Sequence, residues 1–241
     1  MANQILRAVL LSITLLVSLI CSNQTAQAGP PLICHPYEIG NAKSLPWAGT
    51  EWRSVKADYD LNRLVNDTLA LLTPDTPVIV RMETLRRATI YAVWARVDQK
   101  VGYRVNDLTV ARELLARLQA RAQEARGKGR AEALALLDVG YLAEAYKQSA
   151  SHSDKTNPGG DIDGYALISK ALSLVRNDPE MEFAAAMVSI YPKRDEHTQH
   201  LRKAVAGAPD GSLLARNIVS HLGQRGQSIA DLRADLKMAK N

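Results

Sequence analysis

Cys34 and His35 stand side by side, and a thiol next to an imidazole can bind a soft metal or lose its proton more readily than an isolated cysteine. Covalent haem attachment needs Cys-x-x-Cys-His, and Pro31 occupies the place of the first cysteine, so that chemistry is excluded. Because Cys34 follows Leu32 and Ile33, we read it first as a small buried hydrophobe, with metal binding or an intermolecular disulfide as the rival. His197 and His200 put two imidazoles three residues apart on one helical segment, where a third ligand from elsewhere could complete a metal site. The zinc-protease pattern spaces its histidines four apart around a glutamate, and this segment does not. With Asp195 and Glu196 near the positive end of the helix dipole, the segment reads as a solvated helix start.

Other patterns fall short of a site. Asp161-Ile162-Asp163-Gly164 has the acid-and-glycine character of a calcium loop, yet Lys170 stands where the closing glutamate belongs, so it reads as a turn leading into a helix. Neither a phosphate-binding glycine motif nor a serine nucleophile elbow occurs. Trp47, Trp52, Tyr91 and Trp94 could wall a ligand site; as amphipathic aromatics they read as packing anchors, and Trp94 with Val93 and Val97 as core. The sequence offers no catalytic residues and calls for no cofactor, and the expected class is a non-enzymatic protein.

The elements that would position these residues begin with a leader. Arg7, an apolar run from Ala8 to Ile20, a polar stretch and Ala26-Gln27-Ala28 are the three regions of a secretory signal peptide, with cleavage expected between Ala28 and Gly29. The run is shorter than the roughly 20 residues of a spanning helix, so no transmembrane segment is expected after processing. A lipid anchor at Cys21 is the competing reading, opposed by bulky Ile20 at the position that lipoprotein processing wants small. Removing residues 1–28 leaves 213 of 241 residues, with 29 Lys and Arg against 25 Asp and Glu and a net charge of +4. It also leaves Cys34 as the sole thiol, so no internal disulfide is possible and a hydrophobic core must supply the stability. The basic cluster Arg112, Arg117, Arg121, Arg126, Lys128 and Arg130 is interrupted by Glu113 and Glu124 and reads as a solvated helix face, with no nucleic-acid partner.

Beyond the leader, prolines 30, 31, 36 and 46 rule out a long helix in residues 29–55, while Leu32, Ile33, Tyr37, Ile39, Leu45, Trp47 and Trp52 are too apolar for a solvated linker. A proline-rich arm or cap lying against the body is expected. Residues 56–148 read as helical hairpins. Leu61, Leu64, Val65, Leu69 and Leu72 form one stripe; Met82, Leu85, Thr89, Val93 and Val97 a second, after Thr76 as N-cap with Pro77 in the first turn; and Leu108, Ala111, Leu115, Leu118 and Ala122 a third. A fourth helix runs from about Arg130 to Gln148. Residues 149–164 read as a loop or linker, and 165–241 as further hairpins over about 165–176, 179–190, 195–206, 212–222 and 228–240.

Lys170-Ala171 in the stretch ending Asn177-Asp178-Pro179 is echoed by Lys203-Ala204 in the stretch ending Ala208-Pro209-Asp210, a period of 33 residues. This resembles the end of one tetratricopeptide repeat and the start of the next, whose period is about 34. Ala171 and Ala204 would allow close helix contact, and Asp178-Pro179 would cap and open a helix. The resemblance covers mainly residues 165–241; Ser189 and Leu222 stand where the repeat favours an aromatic. It implies an all-α fold of antiparallel helical hairpins, a short α-solenoid that binds a peptide or protein partner along its groove. The expectation is an exported interaction protein, periplasmic or extracellular. The alternative is a metal- or redox-linked exported protein using Cys34 and His35.

Overall fold

The protein is seen in a computed structural model that describes residues 29–93, 107–149, 157–190, 196–224 and 226–238. The expected signal peptide with Ala28, and also Trp94, Val97, Asp195 and residues 150–156 of the 149–164 segment, lie outside these. Among the described residues the secondary structure is all-helical: a 3-10 turn at Leu61–Arg63, then α1 (Leu64–Leu71), α2 (Val78–Val93), α3 (Thr109–Glu124), α4 (Arg130–Ser149), α5 (Gly164–Leu174), α6 (Pro179–Val188), α7 (His197–Gly207), α8 (Leu213–Leu222) and α9 (Ile229–Met238). The most extensive helix contacts join α4 to α5 and α6 to α7, followed by α2 and α3 to α4.

The amphipathic stripes fall where the 3.6-residue period places them. Leu64, Val65, Leu69 and Leu72 are buried around α1, and Ala111, Leu114, Leu115 and Leu118 along α3. For α2 the single-stripe expectation is wrong. Every residue of this helix except Arg87 is buried, so its polar side chains must find partners inside the protein.

Capping explains several boundaries. Asp163 accepts from the Ala166 amide at 2.9 Å and starts α5; Asp178 accepts from Met181 at 3.1 Å and, with Pro179 in the first turn, starts α6. Thr76 does not cap α2 as expected. Its hydroxyl bonds to Leu71 O at 2.7 Å, closing the preceding turn, and the orphan Val78 amide donates instead to Glu180 Oε2 of α6 at 2.9 Å. The distant helix thereby fixes the start of α2, a link no local pattern announces.

Helix crossings use the small residues. Gly140 of α4 faces the start of α5 so closely that a Cβ there would lie 2.5 Å from Gly164 O, and one on Gly164 would lie 2.3 Å from Gly140 O. Ala171 and Ala204 are both fully buried. Among residues 29–55 no helix forms, and Leu32, Ile33, Tyr37 and Leu45 are buried with the helical core.

Candidate functional site

The residues singled out in the sequence do not gather into one centre. Cys34 is half-buried, and burial pushes its thiol pKa up despite the opposing charge of Arg86, the reverse of an activated thiolate. Its Sγ lies beneath Gly29, where a Cβ would meet it at 2.8 Å. His35 has its imidazole pKa lowered by burial and by Arg86, and its Nε2 is buried without a hydrogen-bond partner. The ring faces His221 edge-on at 6.2 Å. His221 stacks on Tyr37 at 4.5 Å, and burial holds its pKa down to about 4.

The solvated helix start expected at His197 and His200 is a misreading for His200. That side chain is buried, with Nδ1 2.6 Å from Glu182 Oε2 and Nε2 2.9 Å from the Tyr165 hydroxyl. It joins α5, α6 and α7 through one polar chain. Lys203 adds an ion pair to Glu182 at 3.2 Å; burial tends to raise the Glu182 pKa, and these two partners outweigh it and hold it low. His197 turns to Ala186 O at 2.9 Å. No group of three or more His, Cys, Asp or Glu able to hold a metal occurs among the described residues.

Two buried ionic centres on α2 escaped the sequence reading. In the first, Glu83 and Arg86 are fully enclosed and paired at 2.7 Å, and Arg87 reaches the same carboxylate at 2.7 Å. The Tyr37 amide donates to Glu83 Oε2 at 3.0 Å. Arg86 Nη1 donates to Ile33 O at 2.9 Å and Trp52 O at 2.8 Å, and Arg87 Nη1 to Leu45 O at 2.6 Å. Trp47 packs under both guanidiniums, at 5.1 and 5.4 Å, and edge-on to Tyr91 at 6.0 Å. The aromatics are packing anchors here. Four backbone groups of residues 33–52 that no helix or strand satisfies are satisfied by one turn of α2.

The second centre is open. At the ends of α1 and α3, against the first half of α4, lies a groove of about 460 Å³ with Leu69, Leu72, Pro74, Ala125, Leu134 and Ala135 among its apolar walls. Arg81, Arg121 and Asp138 supply its charged groups. Arg81 Nη1 donates to Asp138 Oδ2 at 2.6 Å, its Nε to Thr76 O at 3.1 Å, and its Nη2 to Thr73 O. Arg121 Nη1 donates to Leu69 O at 2.9 Å, so the two arginines hold carbonyls at and just beyond the C-terminal end of α1. Part of the basic cluster expected to be solvated therefore turns inward. Asp138 Oδ1, by contrast, is buried with no partner. Burial raises the Asp138 pKa to about 6, outweighing the opposing pull of Arg81 and Arg121.

Comparison with protein-family models, with curated proteins and with solved structures finds no match. The site must be judged on its own geometry. Its volume falls in the range of small-ligand pockets, and it combines apolar walls with few convergent polar groups. A signal for its floor was present in the sequence: Arg81 within Val78-Ile79-Val80-Arg81-Met82 and Asp138 within Leu136-Leu137-Asp138-Val139 are charges embedded in apolar helical runs. What could not be read was that they meet, 57 residues apart.

Proposed function

We propose that the chain is an exported helical-hairpin protein, periplasmic or extracellular, that binds a peptide or protein partner. In this reading α4/α5, α6/α7 and α8/α9 are successive hairpins of a short tetratricopeptide-like stack, and the proline-rich residues 29–55 form an arm that caps its side. The leader pattern supports export, and the echo around Ala171 and Ala204 supports repetition. The observation that carries the binding role is the open groove with Arg81, Asp138 and Arg121 set among apolar walls. The test is selection of displayed random peptides on the exported, processed chain, with binding compared in Ala135→Trp, which fills the groove from a half-exposed position. Peptides that bind wild type and not the filled variant support the reading, and peptides indifferent to it count against the groove. Intact mass of exported protein starting at Gly29 tests the leader.

The unpartnered Nε2 of His35 favours a second reading, in which Cys34 and His35 serve a metal- or redox-linked role. Stoichiometric metal in freshly purified protein, lost in Cys34→Ser, would establish it.

A further inference from the structure

We propose that the groove between α1, α3 and α4 is a pocket for an aromatic side chain with a neutral hydrogen-bond donor, the indole or phenol of a partner peptide, donating to Asp138 Oδ1. This rests on the partner-binding reading and specifies what the groove recognises. Three observations narrow the ligand. Asp138 Oδ1 is a buried acceptor with no donor, a cost removed by a ligand that brings an N–H or O–H. The groove holds two guanidiniums, Arg81 and Arg121, against one carboxylate, so an ammonium donor meets net repulsion and a neutral one does not. The walls contributed by Leu69, Leu72, Pro74 and Leu134 are apolar, and the space of about 460 Å³ accepts a body larger than a serine or threonine side chain.

Indole and phenol match that set, each presenting a large apolar ring with one polar tip. Arg121, the more exposed of the two arginines, suits the ring as well, since a guanidinium is attracted to an aromatic face. The pocket has the parts of an interface anchor site, apolar walls to receive an aromatic ring and one polar contact for its tip.

The experiment titrates the processed full chain by NMR at neutral pH with four probes. N-acetyltryptophan amide and N-acetyltyrosine amide carry the donor; N-acetyl-1-methyltryptophan amide and N-acetylphenylalanine amide lack it. The expected result is about tenfold tighter binding of each donor-bearing probe than its donor-free counterpart, the size of one hydrogen bond to a charged acceptor. Asp138→Asn should collapse that ratio and Ala135→Trp should abolish binding of all four. Should Asp138→Asn fail to fold, the probe pairs on wild type still decide. Equal binding of all four probes, or none by any, overturns the inference. Selected peptides that still compete at the groove would then leave the broader partner-binding reading standing, whereas their loss as well would remove both.

Discussion

Glu83 and Asp138 are both buried carboxylates paired with arginines of α2, and they differ in how completely they are satisfied. Each Glu83 oxygen accepts two hydrogen bonds: Oε1 from Arg86 and Arg87, Oε2 from Arg86 and the Tyr37 amide. Asp138 accepts through Oδ2 alone, and Oδ1 is left without a donor beside an open groove. A fully bonded buried ion pair is a fastener. A half-bonded one at a cavity wall is an incomplete site, since the low dielectric that strengthens a made bond also makes the unmade one costly. The same helix thus clasps residues 33–52 with one pair and, through Arg81, holds a carboxylate of α4 whose second oxygen is a vacant acceptor.

The largest effect should follow from breaking the fastener. Glu83→Ala leaves Arg86 enclosed without its carboxylate and should cost about 3–5 kcal/mol in denaturant unfolding. A loss below about 1 kcal/mol, the range of exposed pairs, would remove the distinction between the two centres. Next in size, Ala171→Leu or Ala204→Leu should cost about 1–3 kcal/mol by overpacking buried positions on α5 and α7. Wild-type melting in both would show that α5 and α7 are not closely packed there. Asp138→Asn should cost only about 1 kcal/mol, because the amide oxygen can still accept from Arg81 and Thr73 and Thr76 carbonyls continue to hold that guanidinium.

The smallest effects are in the pH dependence, and they have opposite signs. Asp138 has a folded pKa raised from 3.8 to about 6, so the native state takes this proton first and gains stability as pH falls through 6 toward 3.8. His221 has its folded pKa lowered from 6.5 to about 4, so the unfolded chain takes that proton first and stability is lost as pH falls through the same range. The stability of wild type relative to Asp138→Asn should therefore rise between pH 6 and pH 4, and relative to His221→Gln it should decline. Parallel slopes for the two variants would contradict the burial assigned to one of these groups.

Local physics made the helices legible. The stripes of α1 and α3, the Asp178-Pro179 start of α6 and the small residues Ala171 and Ala204 belong to local sequence patterns and could be read there. Long-range partners defeated the rest. The Val78 amide is bonded by Glu180, 102 residues away; His200 looked solvated because Glu182 and Tyr165 belong to other helices; and Arg121 looked like part of a solvated face because the Leu69 carbonyl it holds lies on α1. The candidate site was hidden for the same reason. Cys34, His35, His197 and His200 attracted notice by residue type, while Arg81, Asp138 and Arg121 matter by convergence.

Carboxyl NMR of Asp138 with and without N-acetyltryptophan amide asks directly whether its free oxygen receives a ligand's donor. Arg81 and Arg121 are the charges facing this carboxylate, and they are unchanged by the probe. A new hydrogen bond to Oδ1 favours the ionised form, so the pKa should fall from about 6 toward the ordinary 3.8 when the probe is bound. A pKa that stays in place or rises while the probe fills the groove would mean that the ring only deepens the burial of Asp138, and the groove would not be the site described.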